Sequence, residues 1–279
     1  MQYEPRVLNF PKYYEDIIIH TDVPTISIVT STLNQGRFLE ATIDSITNQE
    51  YPKLSYFVQD AGSTDGSLDI LRSYGDRIEW ASEPDSGQSN GLNKGFTRIS
   101  GEIMAYLNGD DVLTPGSLAY VASVFAANPD VDVVYGHRIN IDQNGLEIGR
   151  WVLPPHDPKA IKWADYIPQE TMFWRRRVWE SVGPFDENMR FALDWDFILK
   201  AVRAGFSFKR LPRFLGCFRI HSQQKTMKDA EIGAAESKSL REIHLGFDPS
   251  QSEITKALRP YIRRHILFHK LYKFPLVRY

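Results

Sequence analysis

Apolar residues in the first half of the chain follow two spacings, one typical of buried strands and one typical of amphipathic helices. Short apolar runs bounded by turn-forming residues predict strands at Thr25–Thr30, Leu54–Val58, Ile78–Ala81, Glu102–Leu107 and Val131–Tyr135. Apolar residues at helical spacing lie between them and predict helices at Gln35–Asn48, Leu68–Tyr74, Gln88–Ile99 and Pro115–Ala127. This alternation is typical of an α/β fold, in which a mostly parallel sheet carries helices on both faces.

The second half of the chain follows a different pattern. Asp142–Gly145 is typical of a hairpin turn between two extended runs, Val134–Ile141 and Leu146–Val152. Amphipathic helices are predicted at Asp194–Ala204 and at about Lys228–Gly246, with an extended pair of strands between them. The C-terminal part of the chain is therefore expected to be helical.

Composition is ordinary for a globular protein. The 279 residues are 42% hydrophobic and 24% charged, and the net charge of −2 gives no reason to expect nucleic-acid binding. The single cysteine, Cys217, excludes an internal disulfide, and its apolar surroundings predict a buried packing residue. Residues 1–12 do not resemble a signal peptide, and no apolar segment has the length of a membrane span, so we expect a cytoplasmic protein.

Charge is distributed unevenly, because no acidic residue follows Glu253. The tail beyond it contains seven basic residues interleaved with aromatic ones. Leu258, Ile262 and Ile266 form an apolar stripe at helical spacing, which favours packing on the body of the protein or in a homodimer. A basic helix of this kind is also typical of an anionic membrane surface, so peripheral contact with the inner face of a membrane is a second interpretation.

Acidic residues lie just beyond two of the predicted strands. Asp60 follows Leu54–Val58, and Asn108-Gly109-Asp110-Asp111 follows Glu102–Leu107. In a mostly parallel sheet, such strand ends border the ligand-binding crevice. Two adjacent carboxylates there are costly unless a cation lies beside them, and hard ions such as Mn²⁺ or Mg²⁺ prefer oxygen ligands. The sequence therefore predicts a divalent-cation site that a diphosphate completes.

Seven segments, in order along the chain, resemble the family-2 inverting glycosyltransferases, whose nucleotide-sugar-binding fold is called GT-A. They are Pro24–Asn34, Val58–Ser67, Ser82–Phe96, Tyr106–Asp111, Gln169–Asp186, Leu193–Leu199 and Phe218–Ser222. The resemblance implies a GT-A domain over residues 1–222, with a nucleotide-binding half at about 24–135 and an acceptor half at about 136–222. Residues 223–279 are then expected to form a helical C-terminal extension that carries the basic aromatic tail.

The activity implied by this resemblance is metal-assisted transfer of a hexose, with inversion, from a UDP-sugar to a hydroxyl of a glycan or lipid-linked acceptor, as in polysaccharide biosynthesis. Two other classes of protein stay open. A non-catalytic sugar-nucleotide-binding scaffold is suggested by Ala61 and Asn108, which stand where the family often has aspartate. A sugar-1-phosphate nucleotidyltransferase is less favoured, because Thr30–Gly36 lacks the glycine-rich, basic phosphate loop that such an enzyme needs.

The resemblance also implies roles for four residues on the donor side. Asp60 and Ser31 are expected to contact the nucleoside. As alternatives, Asp60 would cap the glycine-rich turn after it, and Ser31 would cap the helix that follows. Gln88 and Asn93 are expected beside the nucleotide, near a helix start that can hold phosphate through backbone N–H groups.

The resemblance assigns four more residues to the reaction. Asp110 is expected to contact the sugar or ribose, and Asp111 to bind the metal with His221; an Asx-type turn and a structural histidine are the alternatives. Asp194 is the expected general base, which removes the proton of the acceptor hydroxyl as it attacks the anomeric carbon. Asp194 and Asp196 are two positions apart on a helix, so only one faces the site; a helix N-cap is the alternative for Asp194.

Overall fold

This computed structural model describes residues 2–14, 23–222, 224 and 230–272. Within them, ten strands form one sheet: β1 (Gln2–Arg6), β2 (Ile26–Thr32), β3 (Leu54–Asp60), β4 (Glu79–Ser82), β5 (Ile103–Asn108), β6 (Val112–Leu113), β7 (Val133–Ile141), β8 (Glu147–Trp151), β9 (Phe173–Arg175) and β10 (Phe208–Arg219). The α-helices are α1 (Gly36–Thr47), α2 (Ser67–Ser73), α3 (Gln88–Phe96), α4 (Ser117–Ala127), α5 (Arg176–Val182), α6 (Leu193–Arg203), α7 (Ala230–Leu245) and α8 (Gln251–Tyr272).

The central sheet is mostly parallel, as the sequence predicts. Strands β4, β3, β2 and β5 lie side by side in that order and run in one direction. Strand β9 pairs antiparallel with both β5 and β7, so β7 runs with the parallel strands, and β10 lies parallel to β7. The predicted hairpin is formed by β7 and β8, and β1 extends that edge of the sheet.

Helices cover both faces of the sheet. Successive residues of β5 point to opposite faces, so that Ile103, Ala105 and Leu107 belong to one core while Met104 and Tyr106 belong to the other. Helices α1, α2 and α4 pack on the first core, and α3, α5 and α6 pack on the second. Each large apolar side chain removed from water in this way contributes about 1.5–3 kcal/mol.

Strand β10 differs from the prediction of an extended pair of strands. It is one continuous strand, and its parallel pairing with β7 changes register between Arg210 and Phe214 and again before Gly216. Pro212, which has no N–H to donate, lies within the first of these irregular stretches, and it interrupts the strand pattern in the sequence without ending the strand.

The C-terminal helices pack on the body of the protein. Helix α7 confirms the predicted helix from Ala230 onward, whereas Lys228 lies outside the described residues. Leu240 of α7 and Tyr261 of α8 are buried in the core that contains α3, α5 and α6. None of the helices within the described ranges has the length and hydrophobicity needed to cross a bilayer.

The apolar stripe predicted in the tail is divided between two environments. Leu258 packs against the core, but Ile262 and Ile266 are 45% and 49% exposed. The inner face of α8 is formed instead by Tyr261, His265, Phe268 and Tyr272, because aromatic residues occupy the positions that face the body. Residues of the tail beyond Tyr272 lie outside the described part of the chain.

Cys217 belongs to a small core beneath α8, together with Phe214 and Ile139. Burial raises the pKa of its thiol, so the thiolate is disfavoured. The prediction of a packing cysteine is confirmed.

Candidate active site

The turn between β5 and β6 holds the two adjacent aspartates of the sequence at the C-terminal edge of the sheet. Gly109 makes this turn possible, since a Cβ there would lie 2.5 Å from the side-chain oxygen of Gln35 and 2.8 Å from that of Thr32. Strand β6 then pairs with the end of β10, which brings the segment after β10 against the turn. Residues more than a hundred positions apart in sequence are therefore neighbours here.

Asp110 faces His221 across this turn. The His221 Nε2 atom lies 2.9 Å from Asp110 Oδ2. The Arg219 Nε–H donates to the Asp110 backbone carbonyl at 2.7 Å, and the Arg219 guanidinium lies over the Phe38 ring. Phe38 also packs against the His221 ring at a centroid distance of 4.6 Å. Arg219 thus holds Asp110 in place, and Phe38 holds the His221 imidazole beside it.

Asp111 is buried behind this pair. Its Oδ1 atom accepts a hydrogen bond of 2.9 Å from the Arg219 backbone N–H. Burial, followed by the neighbouring charges of Asp110 and Glu170, raises the pKa of its carboxyl well above the usual range. The structure therefore brings His221 to Asp110 rather than to Asp111, and the sequence-based assignment of Asp111 as a metal ligand stays a prediction.

These donor atoms suit a transition-metal dication. A carboxylate oxygen and an imidazole nitrogen are ligands that Mn²⁺ accepts, whereas Mg²⁺ prefers oxygen alone. Within the described ranges, no cluster of three or more acidic, histidine or cysteine side chains forms a complete cage. A cation here would keep coordination positions open, and a diphosphate and water are the groups that would fill them.

Carboxylates converge on Tyr106 of β5 from several segments. Burial raises the pKa of its hydroxyl well above the usual range, and the negative charges of Asp194, Asp165, Asp111 and Glu170 raise it further. Asp165 and Glu170 come from the segment between β8 and β9 and had no role in the sequence analysis. Negative charge from three parts of the chain therefore acts on Tyr106.

Arg138 is one of the groups that offset this charge. Its Nε–H and a terminal N–H donate to the two Glu170 carboxylate oxygens at 2.7 and 2.6 Å. The guanidinium also lies against the rings of Phe218 and Trp151, at 4.4 and 5.5 Å from their centroids. Such a bidentate, desolvated pair fixes the orientation of both side chains. Nothing in the local sequence marks the pair, because its members are 32 positions apart.

Asp194 and Asp196 point in different directions, as their spacing predicts. Asp196 is buried and pairs with Lys200 at 2.6 Å. Asp194 is partly exposed, and its charge raises the pKa of Asp165 after the larger effect of burial. The N-cap of α6 is Ala192, so Asp194 does not cap the helix. Its Oδ1 atom accepts a hydrogen bond from the Trp195 N–H at 2.9 Å.

The donor-side residues on α3 are tied to other parts of the chain. The Gln88 side-chain N–H donates to Asn108 Oδ1 at 2.7 Å, next to the aspartate turn. Asn93 bridges to the segment before α6, because its amide donates to the Phe185 carbonyl at 2.9 Å and accepts from the Phe185 N–H at 3.0 Å. Contacts of Gln88 and Asn93 with a nucleotide stay predictions.

Asp60 lies at the end of β3 with its carboxylate fully enclosed. It accepts hydrogen bonds from the backbone N–H groups of Gly62 and Ser63, both at 2.9 Å, and from the hydroxyls of Ser63 and Ser82. Four donors occupy the acceptor positions of one carboxylate. This conformation favours the turn-capping interpretation, and a nucleoside contact by Asp60 stays a prediction.

Ser31 lies near the end of β2, where it faces α3. Its hydroxyl lies close to Gly91, since a Cβ on that glycine would be 3.2 Å from it. The helix after Ser31 begins at Gly36 with Gln35 as N-cap and without a side-chain cap. Ser31 therefore does not cap that helix, and its predicted contact with the nucleoside remains the interpretation to be tested.

Glu236 of α7 holds the backbone that leads into α6. Its two carboxylate oxygens accept hydrogen bonds from the N–H groups of Arg190, Phe191 and Ala192, at 2.7, 2.9 and 2.8 Å. Gly233 allows this approach, because a Cβ there would lie 2.7 Å from the Phe191 ring. The start of the helix that carries Asp194 is thus fixed by a residue of the C-terminal extension, which the sequence analysis did not identify.

Replacing Glu236 with glutamine is expected to lower both stability and turnover. One of the two acceptor oxygens becomes an NH₂ group that opposes backbone N–H donors, which costs about 1–3 kcal/mol of unfolding free energy. We also expect kcat to fall, because the start of α6, which carries Asp194, loses part of its anchor. Urea denaturation and steady-state kinetics measure the two effects.

Glu242→Gln on the same helix is the matched control. Glu242 is exposed and lies 3.9 Å from Lys238, so its replacement should change the free energy of unfolding by less than about 0.5 kcal/mol. Equal kcat values for the Glu236 variant and the Glu242 variant would show that the start of α6 does not depend on Glu236.

The chain is similar to known proteins in sequence and in structure. Residues 27–195 match the model of the family described as glycosyl transferase family 2. The chain belongs to glycosyltransferase family 2. A relative from Mycobacterium bovis, named as a PGL/p-HBAD biosynthesis glycosyltransferase, is 30% identical to this family-2 chain over 182 residues, which are 63% of the chain and 69% of the relative.

Solved structures show that this family-2 chain has the GT-A fold. Staphylococcus aureus TarS 1–349 in complex with UDP superposes with a TM-score of 0.63 at 18% identity, over 90% of the chain and 76% of TarS 1–349. A longer TarS chain is also similar, and the present chain spans 45% of it. The mannosyltransferase PcManGT from Pyrobaculum calidifontis, in complex with GDP-Man and Mn²⁺, superposes with a TM-score of 0.60 at 19% identity, over 92% and 75% of the two chains.

Proposed function

We propose that this glycosyltransferase transfers a hexose, with inversion, from a UDP-sugar to a hydroxyl of a glycan or lipid-linked acceptor. The observation that carries the proposal is the pairing of Asp110 with His221, 2.9 Å apart, with the buried Asp111 behind them at the C-terminal edge of the sheet. The Asp110–His221 pair and the buried Asp111 form a cation-binding edge. Asp194 is partly exposed, and its charge acts on the carboxyl of Asp165.

In this proposal Asp194 is the general base. Burial, followed by the charge of Asp194, raises the pKa of the Asp165 carboxyl well above its usual range, so Asp165 holds a proton more readily than an isolated aspartate. The acceptor hydroxyl gives its proton to Asp194 as its oxygen attacks the anomeric carbon, and the diphosphate leaves on the opposite side of that carbon. Asp196 takes no part, because Lys200 already pairs with it.

The cation-binding edge would serve the leaving group. Asp110 and His221 would hold the metal, with Asp111 adding negative charge behind them, and a bound dication supplies positive charge to the departing diphosphate. Gln88 and Asn108 lie beside the same turn and would contact the diphosphate or the sugar. Arg219 holds Asp110 in place through its backbone carbonyl.

Known proteins support the chemical class of the donor. TarS has been crystallised with UDP and with UDP-GlcNAc, and PcManGT with GDP-Man and Mn²⁺. These complexes support a nucleoside diphosphate sugar as donor and Mn²⁺ as the first metal to test. The M. bovis relative is named as a glycosyltransferase of PGL/p-HBAD biosynthesis.

The proposal is tested by the release of UDP from UDP-sugars. Purified protein is incubated with UDP-GlcNAc, UDP-Glc or UDP-Gal, with Mn²⁺ or with EDTA, and free UDP is measured over time. We expect slow hydrolytic release from at least one donor that depends on Mn²⁺, and faster release when an acceptor is added. Donor binding without any turnover under these conditions would instead identify a sugar-nucleotide-binding scaffold.

A further inference from the structure

Helix α8 is fixed to the protein by one of its faces. Tyr261 is buried, and its ring centroid lies 4.2 Å from that of Tyr166. Arg264 forms an ion pair with Asp157, and Tyr272 accepts a hydrogen bond from Arg150. These contacts span the helix from its middle to its end, so α8 has a defined orientation and a defined opposite face.

The opposite face, which we call the outer face of α8, combines two kinds of exposed residue. Its large apolar members are 45%, 49%, 52% and 41% exposed: Ile262, Ile266, Leu267 and Leu271. Its basic members are also exposed and lie between them: Lys256, Arg259, Arg263 and Lys270. No acidic residue occurs from Lys256 to the end of the chain. The outer face is therefore both hydrophobic and uniformly positive.

The positive charge and the apolar side chains of the outer face favour some binding partners over others. A second copy of the chain in a two-fold contact would place these basic residues against the same basic residues, which is repulsive. A bilayer that contains anionic lipids matches both properties, because its acyl region accepts the apolar side chains and its headgroups attract the basic ones. We propose that the outer face of α8 lies on an anionic phospholipid membrane.

The inner face of α8 lies close to the acidic site. The His265 ring contacts Trp151 at a centroid distance of 5.9 Å, Trp151 lies against Arg138, and Arg138 holds Glu170. A membrane on the outer face is thus separated from the site by the helix and two side chains. This position would suit a lipid-linked acceptor, although the membrane contact itself does not rest on the proposed sugar transfer.

The test is co-sedimentation of the full-length protein with vesicles, without any donor or acceptor. Vesicles of phosphatidylcholine mixed with phosphatidylglycerol are compared with vesicles of phosphatidylcholine alone. We expect the protein to bind the mixed vesicles more strongly, and added salt to weaken that binding. Arg259→Gln with Arg263→Gln should weaken it about thirtyfold, which is the equivalent of about 1 kcal/mol for each charge.

A second pair of substitutions tests the apolar half of the outer face. Ile266→Ser with Leu267→Ser should weaken binding about tenfold, since less apolar surface enters the bilayer. The matched control is Ile243→Ser on α7, which removes an apolar side chain that is 60% exposed but lies off α8. The control should bind vesicles as the unaltered protein does.

Three results would overturn the proposal. One is equal pelleting of the protein with and without the mixed vesicles. Another is unchanged binding by both double variants. The third is a dimer, measured by light scattering without vesicles, that becomes a monomer in the Ile266/Leu267 variant, which would assign the outer face to a second copy of the chain. Because all variants change exposed side chains, their melting temperatures should match that of the unaltered protein.

Discussion

Replacing Asp194 with asparagine is expected to slow sugar transfer by about 10²- to 10⁴-fold, the usual contribution of a positioned general base. Asparagine preserves the size of the side chain and can still accept from the Trp195 N–H, but it cannot take a proton. Donor affinity should change little, because Asp194 lies on α6 and the cation-binding edge lies on the turn after β5. The measurements are kcat with a saturating donor and titration of the donor without an acceptor. The acidic limb of the pH profile of kcat should disappear in the variant.

Asp196→Asn is the matched control for this experiment. It makes the same chemical change two positions further along α6, at a carboxylate that is buried and paired with Lys200. We expect it to lower stability, since the buried Asp196 loses its charge pairing with the partly exposed Lys200, and to leave turnover per folded molecule unchanged. An equal loss of turnover in both variants would attribute the effect to the helix and would exclude Asp194 as the base.

Replacing Asp110 with asparagine is expected to abolish the Mn²⁺ dependence of donor binding. The carboxylate of Asp110 lies 2.9 Å from the His221 imidazole, and asparagine keeps the shape of the side chain but removes its charge. Calorimetric titration of UDP with and without Mn²⁺ measures the difference. His221→Gln should weaken Mn²⁺-dependent binding to a smaller degree, because the anionic ligand remains.

The same substitution at Asp111 separates the two possible assignments. If Asp111→Asn loses the Mn²⁺ dependence and Asp110→Asn keeps it, Asp111 is the direct ligand, as the sequence predicts. Burial and the charges of Asp110 and Glu170 raise the pKa of Asp111, so a cation bound close to it must displace its proton. Mn²⁺ affinity of the unaltered protein should therefore increase as the pH rises through that raised pKa, and the increase should be weaker in Asp111→Asn. Retention of full Mn²⁺ dependence by both variants would exclude this turn as the metal site.

Much of the α/β framework can be predicted from the sequence because its signals are local. Strands β2, β3 and β5 are short apolar runs, and the helices between them carry apolar residues at helical spacing. The edge strand β1 gives no such signal, since all five of its residues are exposed. Strand β9 is only three residues long, and β10 is interrupted by Pro212, so neither shows a clear period in the sequence.

The site could be predicted only as far as its residues follow strand ends or a known motif. Asp110, Asp111, His221 and Asp194 have such signals, and the structure brings the first three together at the C-terminal edge of the sheet. Asp165 and Glu236 have none, and Glu170 lies within the motif Gln169–Asp186 without an assigned role, because the importance of all three depends on segments far away in sequence. The environment of Asp60 cannot be predicted from the sequence either, because its four hydrogen-bond donors come from the turn that follows it and from Ser82 of β4.

Glu236 limits how far the chain can be shortened from its C-terminus, because it holds the backbone that leads into α6. The part of the chain by which the family is recognised ends at residue 195, ahead of the histidine beside the aspartate turn and of the glutamate that anchors the start of α6. A fragment trimmed to that region would end α6 after its third residue and would leave the N–H groups of Arg190, Phe191 and Ala192 without their acceptor. Truncation for crystallisation or engineering should therefore retain α7, because the recognisable motif is shorter than the working enzyme.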